Sequence, residues 1–143
     1  MNIERTESGR PTELPKTLQE WFNIAWEHSK IHSPAVKMNF DGTISCLYRT
    51  PGDNCCLIGA GLPDKYYRPS LENQSAKSAI RQLDLGTSDD LLEYLRQLQR
   101  VHDVLVGTND PTDRHPLNYF PAIRRRLMDF AESHGLTIPQ ETL

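Results

Sequence analysis

The stretch at residues 46–69, C-L-Y-R-T-P-G-D-N-C-C-L-I-G-A-G-L-P-D-K-Y-Y-R-P, decides how the chain is read. It holds all three cysteines and three of the ten prolines. Residues 44–49, from Ile44 onward, predict a strand that runs into it. Thr50-Pro51-Gly52-Asp53-Asn54 predicts a turn, because proline presets φ and glycine supplies positive φ. Residues 55–58 then predict the return strand of a β-hairpin. Side chains alternate along a strand, so Cys55 and Cys56 would face opposite sides of it, and at most one shares a side with Cys46. A two-stranded hairpin is marginal alone, so helices must cover one of its faces. The run at 59–64, G-A-G-L-P-D, predicts a second chain break, continued through Pro69.

Upstream, Leu14, Leu18, Trp21, Phe22, Ala25 and Trp26 recur at helical spacing. They predict a first helix opened by Thr12 or Thr17 and running to about His32. Ser33-Pro34 stops it, since the residue before proline avoids the helical region. Residues 33–44 read as a connector with a turn at Asp41-Gly42. Downstream, a short helix is predicted from Ser70, its N-cap, to Leu83, with Leu71, Ala79, Ile80 and Leu83 inward. Ser88-Asp89-Asp90 is a helix start, a capping hydroxyl followed by acids where the macrodipole favours them. Leu91, Leu92, Leu95, Leu98, Val101 and Leu105 give its inner stripe. The last helix starts at Pro116 or Pro121, buries Leu117, Phe120, Ile123, Leu127, Phe130 and Ala131, and ends at Gly135 in a left-handed cap. Residues 1–11 read as a flexible tail and 136–143 as a short tail. The expected fold is α+β: a mostly helical single domain over 1–143, with one β-hairpin packed on three or four helices.

The chain has 143 residues, enough to bury roughly two-thirds of its unfolded surface without a disulfide or metal. A net charge of −3 gives no electrostatic ground for nucleic acid as a partner. No window of 18 apolar residues is present, so no spanning helix and no membrane partner are expected. The first ten residues, M-N-I-E-R-T-E-S-G-R, lack the basic and apolar regions of a signal peptide. The expectation is therefore a cytoplasmic protein with reduced thiols.

One resemblance extends over about half the chain. Cys46, Tyr48, Arg49, Gly52, Cys56, Gly59, Pro63, Asp64, Tyr67, Pro69 and Glu72 are followed by Leu95, Leu98, Gln99, His102 and Asp103. This resembles an uncharacterised family of small bacterial and phage proteins. Its pattern is C-x-Y-R, a glycine turn, C-x-x-G, P-D-x-x-Y-x-P-x-x-E and a later L-x-x-L-Q-x-x-H-D. The chain departs from it at the extra Cys55 and at Ala60-Gly61-Leu62, where bulkier apolar residues are expected. The resemblance implies a bacterial or phage origin and no particular chemistry.

Several groups carry potential chemistry. Cys46, Cys55 and Cys56 with a histidine could bind zinc, but no C-x₂₋₄-C pair is present, and small apolar fillers describe them better. A Cys–His–Asp nucleophile would use His102 and Asp103. Adjacent helical residues point about 100° apart, so Asp103 would not orient His102. His28 and His32 have chelating spacing without an H-E-x-x-H pattern. Arg124-Arg125-Arg126 spreads around its helix and reads as a solvated face. Gly59 and Gly61 lack the third glycine of a dinucleotide fingerprint. The loop at 59–72 gathers the remaining candidates: Asp64, Tyr66, Tyr67, Arg68 and Glu72, with Tyr48 and Arg49 on the adjoining strand. Tyrosine and arginine dominate interface hot spots, and loops on a rigid scaffold carry function. The structural alternative is that Arg49 pairs with Asp64 or Glu72 while the tyrosines cover the hairpin.

The expected function is therefore a non-catalytic binding or protein-interaction module without a cofactor. Its binding residues would be Tyr48, Arg49, Asp64, Tyr66, Tyr67, Arg68 and Glu72, with no catalytic or metal residue assigned. A small hydrolase-like enzyme using a cysteine or the Arg/Asp cluster is the alternative, and a metal-stabilised domain a further one. The partner would be a protein, and a homodimer stays open.

Overall fold

A computed structural model describes residues 11–29, 36–38, 44–46, 57–72, 74–106 and 116–139. Helix α1 is Leu18–His28. Thr17 caps it by accepting from the Glu20 amide at 3.1 Å, and Ser29 closes it through its own amide to the Ala25 carbonyl. The helix thus stops before the expected His32. Trp21, Phe22, Ala25 and Trp26 are all buried, as their spacing requires.

The expected α+β architecture is not what the chain forms: the fold is helical. Leu57 and Ile58, expected in the return strand of a hairpin, open a five-residue helix, α2, at Leu57–Gly61. A short apolar run fits a buried strand and a buried helix equally well, and here packing chooses the helix. The two glycines read as a chain break lie inside it. Gly61 is needed there because a Cβ at its position would fall 2.5 Å from Cζ3 of Trp21. Two three-residue segments, β1 (Val36–Met38) and β2 (Ile44–Cys46), pair antiparallel, with Lys37 opposite Ser45. This ribbon is too short to form a layer, and β2 is paired with the segment before it. Residues 47–56, with the predicted turn at 50–54, lie outside the described residues, as does the turn at Asp41-Gly42.

The region at 63–83 also differs in detail. Two 3₁₀ turns, Asp64–Tyr66 and Pro69–Leu71, precede helix α3 at Ala76–Gln82. Its N-cap is Ser75, whose hydroxyl accepts from the Ser78 amide, and not Ser70. The inner face is as expected, with Ala79 and Ile80 buried beside Leu71.

Helix α4 is Asp89–Val106, opened by Ser88, whose Oγ accepts from the Leu91 amide at 3.2 Å. Leu92, Leu95 and Leu98 form its buried stripe. Helix α5, Pro116–His134, carries Pro121 inside it. Gly135 sits at φ +66° just beyond. The Leu136 amide then donates to the Ala131 carbonyl at 2.9 Å, which is the bond of a left-handed glycine cap.

One core joins the five helices found among the described residues. Trp21, Phe22 and Trp26 of α1 meet Leu57 and Ile58 of α2, Ile80 of α3, Leu95 and Leu98 of α4, and Ile123, Leu127 and Phe130 of α5. Helix α2 packs on α1 and α4. Its first amides are orphans by geometry, and the buried Gln99 side chain meets one of them: its Oε1 accepts from the Ile58 amide at 3.3 Å. The C-terminal segment is docked. Leu136 and Ile138 pack on the core, and the Gln19 side chain donates to the Thr137 carbonyl and accepts from its amide. Residues 1–10 and 140–143 lie outside the described residues, and Pro11, assigned to the N-terminal tail, is buried. Among the described residues no helix is long and apolar enough to cross a membrane.

Candidate functional site

The segment at 62–72 is held rigidly. Tyr66 and Tyr67 are half-buried against the core, while Asp64 and Arg68 are exposed. Two successive 3₁₀ turns account for this. Each is closed by a backbone bond, Tyr67 amide to Asp64 carbonyl and Glu72 amide to Pro69 carbonyl, and Leu71 anchors the second in the core. The Tyr67 hydroxyl donates to Glu72 Oε2 at 2.6 Å, so these two predicted site residues are joined and brace the loop. Lys65 meets Glu13 at 2.8 Å and lies over the Tyr66 ring. The Glu13 carboxylate, as hydrogen-bond acceptor, raises the Lys65 pKa above the ordinary lysine value. Tyr48 and Arg49, and therefore any pairing of Arg49 with Asp64 or Glu72, lie outside the described residues.

Tyr66 forms one wall of a cleft of about 680 Å³. Glu13, Leu14, Pro15 and Lys16, just before α1, form another, and Leu85, Gly86 and Leu91 form a third. The turn at 84–86 is shaped by two positive φ angles, Asp84 at +52° and Gly86 at +79°. Aspartate tolerates that region and glycine prefers it. This turn leaves Leu85 42 % exposed. The arrangement offers an apolar floor, an aromatic wall and a charged rim, which suits binding.

His102 is fully buried in α4. The Cys46 side chain, Cys55, Cys56, His32 and the Asp103 side chain lie outside the described residues. Among the described residues no three His, Cys, Asp or Glu side chains gather to hold a metal. The arginine triplet is not a uniform solvated face: Arg124 lies over the Trp26 ring, 4.0 Å from its centroid, and donates to the Trp26 carbonyl. Arg125 and Arg126 are exposed.

A second groove, of about 300 Å³, runs between α4 and α5 and was not foreseen. Gln97, Arg100 and Val101 stand at i, i+3 and i+4 on α4, opposite Arg126, Asp129, Phe130 and Ser133 at i, i+3, i+4 and i+7 on α5. His134 closes one end. Its Nδ1 lies 2.9 Å from the Phe130 carbonyl oxygen and its Nε2 3.0 Å from Gln97 Oε1, and its ring stacks on Phe130 with centroids 4.0 Å apart. The i, i+3, i+4 spacing is visible in the sequence, but only the packing of α4 on α5 makes it a groove.

No family model, no curated protein and no solved structure matches this chain. The resemblance to the small bacterial and phage proteins therefore rests on the matching residues alone.

Proposed function

We propose that this chain is a non-catalytic binding module that takes an extended segment of a partner protein into the Tyr66 cleft. One observation carries the reading: Leu85, a large apolar side chain left 42 % exposed, shares a cleft with the half-buried ring of Tyr66. Leu14, Pro15 and Leu91 extend the apolar lining, and Lys16 with the Glu13–Lys65 pair supplies charge at its edge. An apolar centre with a polar rim is the anatomy of a protein interface. Arg68, exposed on the neighbouring turn, is a residue type over-represented among interface anchors. Tyr67 and Glu72 brace the site from behind. A cytoplasmic location and a bacterial or phage origin belong to the same proposal, drawn from the reduced-thiol reading and the resemblance.

The test is photo-crosslinking in the native host extract, with a photoreactive residue at position 85 and, as control, at position 125 on α5. A discrete adduct from position 85 alone, lost when Tyr66→Ala is added, is the expected result. The same adducts from both positions, or an adduct indifferent to Tyr66→Ala, would overturn the assignment.

A further inference from the structure

The groove between α4 and α5 shares no lining residue with the Tyr66 cleft. We infer that it is a binding site for a small organic monoanion, a carboxylate carried on an apolar body. Arg100 comes from α4 and Arg126 from α5, so two separate helices each bring an arginine to the lining of one groove. Among the described residues neither makes a hydrogen bond or ion pair, and nor does Asp129, one turn from Arg126. The contrast lies on the same helix: Arg96, one turn before Arg100, closes on Glu93 at 2.6 Å. Guanidinium groups match carboxylate geometry through paired N–H donors, and two left without a protein acceptor keep those donors available.

The charge of the lining selects the ligand class. With His134 counted neutral, two arginines against one aspartate leave one formal positive charge, which a monoanion neutralises and a dianion exceeds. The floor selects its body. Val101 is half-buried, so an apolar group resting on it loses water on both sides, and Phe130, 7 % exposed, adds only a narrow apolar strip. A volume of about 300 Å³ stands at the lower end of small-molecule sites. His134 does not compete for the anion. Its ring nitrogens lie against the Phe130 carbonyl and Gln97, and a neutral ring donates to one of these two oxygens, so its N–H is already engaged within the walls.

The experiment is an amide-resolved NMR titration of the whole chain with benzoate and, separately, with inorganic phosphate. Benzoate is expected to move the amides around Gln97, Arg100 and Phe130 along a saturable curve, and phosphate to move them less at equal concentration. Arg100→Gln and Arg126→Gln should each weaken benzoate by about tenfold or more, the scale of a charged hydrogen bond. Asp129→Asn should strengthen it by removing a like charge. All three positions are exposed, and unchanged amide signals from α1 confirm that each variant is folded. An absence of saturable shifts, shifts that persist in the double arginine variant, or phosphate binding as tight as benzoate would each overturn the site.

Discussion

At the scale of single residues, two side chains around α2 decide whether that helix exists. Gly61 is the first. Replacing glycine by alanine inside a helix normally gains about 1 kcal/mol from propensity. Here the new Cβ would meet two ring carbons of Trp21 at 2.5 and 2.6 Å, and that indole is fully buried with little room to move. Overpacking of this kind costs about 1–3 kcal/mol, so the clash wins. Gly61→Ala should lower the urea midpoint at unchanged slope, and a raised midpoint would show that α2 does not press on Trp21. Gln99 is the second. Gln99→Leu would leave the buried Ile58 amide without its acceptor, a loss of about 1–3 kcal/mol. The specific readout is hydrogen exchange: the Ile58 amide should speed up far more than the amides of Leu95 and Leu98. Equal acceleration throughout would mean that Gln99 only fills space.

At the scale of elements, legibility followed length and periodicity. Helices α1, α4 and α5 were readable because each repeats an apolar stripe over several turns. Each also carries a chemical end mark, at Thr17, Ser88 and Gly135. Helix α2 was not readable. Five residues make about one and a half turns and cannot display a 3.6-residue period. It is also buried on every side, so it has no polar face to reveal one. Gly61, a residue type that normally signals a break, serves close approach instead. Little of the candidate cleft was legible: of the expected binding residues that are described, only Tyr66 lines it. Tyr66, Tyr67 and Glu72 stand out as a cluster, but the facing wall of the cleft comes from Leu14, Pro15 and Leu85, which no spacing in the sequence joins to them. Helix α4 also offers a test of its surface electrostatics. Glu93 is held at about 2, mainly by the hydrogen bond from the Arg96 guanidinium, against an ordinary value of 4.5. A folded-state pKa below the unfolded one means that the pair stabilises the fold above about pH 4.5. That contribution fades as the pH falls from there toward 2. The pair is solvent-exposed, so its worth is small and screened by salt. Following the Glu93 carboxyl carbon by NMR should place its midpoint well below that of an ordinary glutamate, and Arg96→Gln should return it toward 4.5. A midpoint that ignores the substitution would sink the assignment.

At the scale of the whole molecule, the question is whether five helices behave as one cooperative unit. The geometry favours unity. An aromatic series runs from Trp26 through Phe22 to Phe130 and on to His134, with successive centroids 6.1, 6.3 and 4.0 Å apart. It crosses from α1 to α5, and Arg124 adds a second tie between the same helices by covering Trp26. Helix α2 fills the space between α1 and α4, and the Gln19 side chain fastens the segment after α5 back onto α1. No helix can leave without exposing part of a core that the others share. Both tryptophans lie on α1, so fluorescence reports on that core, whereas far-ultraviolet circular dichroism reports on every helix. The two signals should therefore follow one urea transition with the same midpoint and slope, as two-state unfolding requires. If circular dichroism fell first while fluorescence held, the loss would belong to helix outside the environment of the tryptophans. Helices α4 and α5 share the core with both tryptophans and Arg124 covers one of them, so the groove between α4 and α5 would stay with the fluorescence signal. Benzoate bound in that groove would then raise the midpoint of the fluorescence transition and leave the earlier loss of circular dichroism where it was.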